Sequence, residues 1–206
     1  MIKINGVDKP STVSQPSSDA HGIYRIADNP NLYEVQRSNN FEFVVTGIDD
    51  IIRAGMKESD ANAKIANAQE VLRLSVSEAA VPHFTQNAIE VKRGNNSMFF
   101  AGVPTFDAGS FTYTDYIGAD TISILMAWQN LSYNVDTEKV GLVTDYKKDA
   151  YLIEYTPDWQ KVRQYVLKGC WISGISEPNM SFDDNNKRTI SATIRYDFAR
   201  LDTSEI

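Results

Sequence analysis

The side chains able to do acid, base or nucleophilic work are few in this 206-residue chain. It has two histidines, His21 and His83, and one cysteine, Cys170. A Ser-His-Asp or Cys-His pair would have to use one of those two imidazoles as its base. His21 stands in a segment rich in Ser, Asn, Asp and Pro, and His83 follows Pro82; neither has a recognisable catalytic setting. Cys170 lies in the apolar run Gly169-Cys170-Trp171-Ile172, where a buried inert thiol is expected. A lone cysteine also excludes an internal disulfide and a multi-cysteine metal site. The run Asp183-Asp184-Asn185-Asn186 offers oxygen donors. It lacks the alternate spacing, turn glycine and terminal glutamate of a calcium loop, and so reads as a polar turn. Gly94-Asn95-Asn96 leads into no helix and is a turn, not a phosphate cradle. Paired acids such as Asp49-Asp50 are ordinary in a chain with 27 of them. No catalytic residue, metal or cofactor is expected.

Charge narrows the remaining classes. Twenty basic against 27 acidic residues give a formal charge of −7, the wrong sign for a protein built to hold nucleic acid. The basic pairs Lys92-Arg93, Lys147-Lys148 and Lys187-Arg188 each have acidic neighbours, as solvated strand ends do. Nine Phe, ten Tyr and three Trp within 42% hydrophobic content predict one sizeable core. The N-terminus shows no secretory signal, and no window approaches the roughly 20 apolar residues of a membrane span.

The elements that would carry these residues are mostly strands. Residues 1–39 read as an extended arm with two short alternating patches, Ile23-Tyr24-Arg25-Ile26 and Leu32-Tyr33-Glu34-Val35. A β domain is expected over 40–201, followed by a tail at 202–206. It opens on the strand Phe41 to Val45, closed by Gly47. The Ala-rich stretch 57–70 predicts a short surface helix, and Val71-Leu72-Arg73-Leu74-Ser75-Val76-Ser77 alternates as a half-buried strand. A hairpin is expected over 88–103, turning at Gly94-Asn95-Asn96, and a further strand over 110–116. The best helix spans 119–133: Asp120 is the expected N-cap, and Ile122, Leu125 and Met126 its packing face. Strands at 151–155, 164–172 and 189–198 complete a mainly β fold, an antiparallel sandwich or barrel with one flanking helix.

Several strands put polar groups on one face, and those groups lean acidic or neutral. They are Glu90, Asp115, Glu154 and Asp197, with Thr112, Thr114, Thr189, Ser191 and Thr193. Such a face is either a solvated sheet surface or the lining of a water-filled bore.

The order of elements, with particular residues, resembles the tail tube proteins of contractile phages, relatives of type VI secretion and bacteriocin tubes. The resemblance runs over residues 40–200. It starts at Asn40-Phe41-Glu42-Phe43-Val44-Val45 and continues through 72–82 with its closing Pro82. It then takes in Phe111 to Tyr116 before the helix containing Leu125-Met126-Ala127-Trp128-Gln129, and ends in 165–175 and 190–197. It implies a non-enzymatic subunit that stacks as hexameric rings, its sheets joined into a continuous lumen-lining barrel. The implied partners are copies of itself, a tail sheath protein, and tape-measure and baseplate proteins. DNA would pass through the bore without specific binding, and no membrane is involved. The implied location is the virion, with synthesis in the host cytoplasm. On that reading Glu90, Asp115, Glu154 and Asp197 face the lumen. Ile23, Tyr24, Leu32 and Tyr33 of the arm, with Ile65, contact the next ring. Two other classes stay open: a monomeric β-sandwich that binds carbohydrate through Tyr113, Tyr116 and Trp159, and an enzyme of unfamiliar type.

Overall fold

Alternation with period two builds the main sheet of this protein. The computed structural model describes residues 3–4, 7–8, 34–49, 68–183 and 185–202. Ser38–Ile206 forms one compact unit; Met1–Arg37 is a separate one, described at residues 34–37 and at the short antiparallel pair β1 (Lys3–Ile4) and β2 (Val7–Asp8). The inter-ring candidates Ile23, Tyr24, Leu32, Tyr33 and Ile65 lie outside the described residues.

In the larger unit the strands are β3 (Phe41–Val45), β4 (Val76–Ala79), β5 (Phe84–Arg93), β6 (Asn96–Phe106), β7 (Gly109–Thr114), β8 (Tyr133–Asn134), β9 (Lys139–Val140), β10 (Lys148–Tyr155), β11 (Lys161–Ser176), β12 (Thr189–Arg195) and β13 (Phe198–Asp202). Helices α1 (Ala68–Ser75), α2 (Thr121–Ser132) and α3 (Val143–Tyr146) intervene among the described residues. The sheet runs β3-β10-β11-β12-β7-β4, every pairing antiparallel, with β13 also on β11. This is the mainly β, antiparallel fold expected of the sequence.

The 16-residue β11 ties the two halves of the sheet together. Its first part pairs with β10 and β13, its last part with β12, and it bends between them. Gly169 sits at the bend with φ +69°. That φ strains any residue with a Cβ, and a Cβ there would stand 2.4 Å from the Asp197 carboxylate, which would have to move.

One face of the sheet packs on α1 and α2. Phe43 and Phe111 stack with ring centroids 4.4 Å apart, and Leu72, Ile124, Leu125, Trp128, Leu152, Leu167, Ile172 and Ile190 close around them. Trp128 is fully buried, and its Nε1–H donates to the Tyr146 carbonyl at 2.9 Å, which satisfies the one polar atom the indole brings inside.

Two local expectations are corrected. Residues 71–75 belong to α1 and not to a strand, and β4 begins only at Val76. Ala68, Leu72 and Ser75, at i, i+4 and i+7, are buried, whereas Leu74 is 60% exposed; a strand would have put both leucines on one face. Asp120 is the N-cap of α2 as expected, though it sits in the left-handed region (φ 49°) and its side chain makes no capping hydrogen bond; it is the packing face of α2 that differs. The inward face of α2 is Thr121, Ile124, Leu125 and Trp128. Of the expected face, Leu125 is buried, Ile122 is partly buried against the core, and Met126 is 43% exposed.

Helix α1 is capped from a distance. The Gln69 backbone N–H donates to Asp49 Oδ1 at 2.9 Å, so a residue 20 positions away accepts a donor from the first described turn of the helix. Asp49→Ala is expected to lower stability by about 1 kcal/mol, with Asp49→Asn retaining most of it, both read from urea midpoints.

Candidate functional site

The register of β7, β12 and β11 explains what the polar face is. Thr189 lies opposite Thr114, Ser191 opposite Thr112 and Thr193 opposite Ser110, while Ser176 faces Ser191 from β11. Side chains of directly opposed residues project from the same face. The alternate pairs, Ile190 with Tyr113 and Ala192 with Phe111, therefore enter the core on the other face. The result is a ladder of hydroxyls on the side away from α2. Neighbouring groups bond to one another: Ser110 Oγ lies 3.0 Å from Ser191 Oγ, Thr112 Oγ1 donates to Glu78 at 3.1 Å, and Ser173 Oγ donates to the Thr193 carbonyl at 3.1 Å. The surface is polar, with Glu78 opposite Thr112 and Arg195 in the parity of Thr193 as its charged members.

The four acidic candidates do not gather on it. Glu90 is on β5, where it accepts a hydrogen bond from Ser97. Asp115 ends β7 beside Arg188, which also pairs with Glu177. Glu154 shares the parity of Ala150 and Leu152 and pairs with Arg163 Nε at 3.0 Å. Asp197 occupies the corner between β12 and β13, with Lys147 Nζ 2.6 Å from its carboxylate. Each of the four carboxylates thus has a local partner away from the hydroxyl ladder, whose acidic neighbour is Glu78.

The remaining chemistry-bearing groups are structural. Cys170 is buried, and desolvation, with smaller effects from Asp149 and Asp197, pushes its thiol up to about 12. It is a thiol and not a thiolate at neutral pH. His83 Nε2 lies 3.5 Å from Asp107, and Tyr196 accepts a hydrogen bond from the His83 backbone N–H, where β5 leaves the domain. Tyr113 is fully buried, and desolvation raises its phenol far above the ordinary range. It cannot serve as an exposed aromatic platform; of that trio only Tyr116 and Trp159 are exposed. Among the described residues, no three His, Cys, Asp or Glu side chains converge as a metal site, and no helix is long and apolar enough to cross a membrane.

Two other surfaces were only partly visible in the sequence. First, the sheet path has ends, β3 and β4, which do not pair with each other. Thr46 N–H donates to the Asp149 carbonyl and Tyr155 N–H to that of Asn40, both at 2.9 Å, so the even-numbered residues of β3 hydrogen-bond to β10. The N–H and C=O groups of Phe41, Phe43 and Val45 point to the other edge, where no described strand pairs. Second, β5 and β6 form a hairpin of 10 and 11 residues, exposed almost throughout. It turns at Gly94-Asn95; φ +65° at Gly94, with Asn95 in the ordinary range, is the pattern of a type II′ turn. Its two faces differ. Ile89 opposite Phe100 and Val91 opposite Met98 make one face apolar, each residue 45–54% exposed. Glu90, Lys92 and Ser97 lie on the other, together with Phe99 opposite Glu90, so that face is mixed. Among the described residues the hairpin is anchored at its base, by Phe106 ring contacts with Tyr196 and Phe198.

No protein-family model matches the chain, and no curated protein matches it. Solved structures do. The chain is similar to one in the sheath–tube complex of the extracellular contractile injection system PVC in its extended state. The TM-score is 0.59 at 11% identity, over 87% of this chain and 96% of that one. It is similar to a chain of the anti-feeding prophage cap, described as the tube-terminating cap, with TM-score 0.58, 12% identity, and 82% and 92% covered. It is also similar to one in the PVC sheath/tube terminator in the extended state, with TM-score 0.56, 13% identity, and 82% and 97% covered. At these identities the likeness is one of fold. Over most of its length the chain has the fold of tube components of contractile injection systems.

Proposed function

We propose that this protein is a structural, non-enzymatic subunit of the tube of a contractile injection machine, assembling with copies of itself into rings that stack into a hollow conduit. The observation that carries the reading is the open sheet. Unpaired strand edges on an isolated domain invite aggregation unless something completes them. In a closed ring each β3 or β4 edge is completed by the neighbouring subunit, and the sheets become continuous around a bore. The hydroxyl ladder supplies a lining for that bore, since groups already bonded to one another offer a passing polymer little to adhere to. A polyanion would meet no array of cations there.

In its most specific form the proposal is the hexameric tail tube of a contractile phage, carried in the virion. It would be surrounded by a sheath, would contact tape-measure and baseplate proteins, and would conduct DNA at ejection. A second form is the tube of a bacteriocin-like or secretion-type contractile system. The similar structures favour it, because they come from an extracellular contractile injection system and an anti-feeding prophage. A gene cluster holding sheath and baseplate genes together with capsid genes selects the first; one lacking capsid genes selects the second.

Negative-stain microscopy of the purified protein tests the shared claim. Rings or hollow polymers with a central bore are expected. A monodisperse monomer at high concentration would sink it.

A further inference from the structure

The β5–β6 hairpin meets the domain through the two residues that flank it, His83 before β5 and Asp107 after β6. Their backbones are joined, the Asp107 N–H donating to the His83 carbonyl at 3.4 Å, and the first rung of the hairpin then pairs Phe84 with Phe106. The Tyr196 hydroxyl spans the same point. It accepts from the His83 N–H at 3.3 Å and lies 3.5 Å from the His83 carbonyl. The His83 imidazole itself is held between two oxygens: Nδ1 lies 3.3 Å from the Val81 carbonyl, and Nε2 lies 3.5 Å from Asp107 Oδ2. A neutral imidazole carries one N–H, so either tautomer turns a lone pair toward an oxygen. Only the imidazolium offers a proton to both.

We infer that His83 and Asp107 form a proton-dependent clip at the root of the hairpin, closed when the imidazole carries both protons and loosened when it loses one. The clip belongs to the single chain, so it stands or falls independently of the tube reading. Histidine is the side chain whose charge changes between pH 5 and 8, and carboxylates stay ionised over that range. The closed clip holds a proton that the open one does not need, so closure is favoured as pH falls and weakened as pH rises. The other ionisable groups around it are Tyr196, Tyr165 and Arg200. Burial pushes the Tyr196 phenol up, which keeps it a hydroxyl throughout the range. Tyr165 and Arg200 line the recess beside His83, but Arg200, opposite Val166, has the parity of Phe198 and not that of Ala199 and Leu201, so its side chain leaves on the other face of β13. Beyond the root the hairpin is exposed almost throughout, and the clip therefore governs how firmly it is held in one direction.

Amide hydrogen exchange of the full chain, expressed as protection relative to the unfolded rate at each pH, tests it. Between pH 6 and pH 8 the protection of the Thr85, Thr105 and Asp107 amides is expected to fall about two- to fivefold, the size of an exposed ion pair, while that of the β12 amides stays level. His83→Gln, which keeps a donor but cannot charge, and Asp107→Asn should each abolish the fall. His21→Gln, at the other histidine, should leave it in place. Flat protection in the parent, an equal fall in β12, a fall that survives His83→Gln or Asp107→Asn, or one that disappears in His21→Gln would each overturn the clip.

Discussion

Trp128→Ala is expected to cost about 3–5 kcal/mol of folding stability, the range for emptying a buried aromatic site. Trp128 is fully buried, and its neighbours come from several elements, so the surrounding structure cannot collapse cheaply into the space. The Tyr146 carbonyl would also lose the donor now 2.9 Å away. Domains of this size are stable by about 5–15 kcal/mol in total, so the loss is a large share. The check is a urea titration followed by tryptophan-independent circular dichroism, with Trp128→Phe as a companion. Phenylalanine fills most of the volume without the hydrogen bond and should fall between the parent and alanine. An alanine variant within 1 kcal/mol of the parent would mean that α2 does not hold the sheet as the contacts indicate.

The second large effect is on assembly and not on folding. Ile89 and Phe100 face each other on the apolar side of the hairpin, each more than half exposed, and among the described residues the hairpin is anchored at its base. Exposed positions away from packed groups usually change stability by no more than about 0.5 kcal/mol. Ile89→Lys/Phe100→Lys should therefore leave the urea midpoint nearly unchanged. In an assembled particle the same lysines would be buried without partners, at a cost of several kcal/mol each, and the contact should fail. Light scattering after gel filtration, with microscopy of the same fractions, is expected to show loss of stacks at unchanged secondary structure. Stacks as long as those of the parent would show that the hairpin face is not an interface.

Much of this could be read along the chain because a strand in an antiparallel sheet declares its two faces in alternate residues. Thr112 and Thr114, and Thr189, Ser191 and Thr193, separate from Phe111, Tyr113, Ile190, Ala192 and Ile194 by parity, and cross-strand register then joins the hydroxyls into one face. The same logic placed the hairpin turn at Gly94. It failed at 71–75, where a short window fits both periods: Leu72 pairs with Leu74 as a strand and with Ala68 and Ser75 as a helix. Asp49, distant in sequence, together with the Phe43 side of the core, settles that segment as helix. On α2, apolar residues occur around most of the circumference, so the inward stripe was ambiguous. The face used is displaced by one residue, about 100° of rotation, from the one centred on Ile122 and Met126. Trp128 decides the rotation, because an indole that large must be buried and its N–H must find an acceptor.

The acidic candidates show the same boundary. Parity said which of Glu90, Asp115, Glu154 and Asp197 could share a face only within a single strand, and they lie on different elements. Which partner each meets depends on loops and on the bend at Gly169, where Asp197 takes the space a side chain would need. Tyr113, an aromatic in an alternating strand, belonged to the core face and was lost to any surface role.

By itself the sequence determined the strand-rich class, the absence of a recognisable catalytic constellation, the two-faced strands and the hairpin, because these follow from local periodicity, composition and turn chemistry. Only the tertiary structure decided that, among the described residues, the strand path stays open at β3 and β4, and that the hairpin and the Tyr116 and Phe182 loops stand at opposite ends. Those facts depend on which strands become neighbours, and pairing between strands far apart in the chain is set by burial of the whole core, which no local window contains.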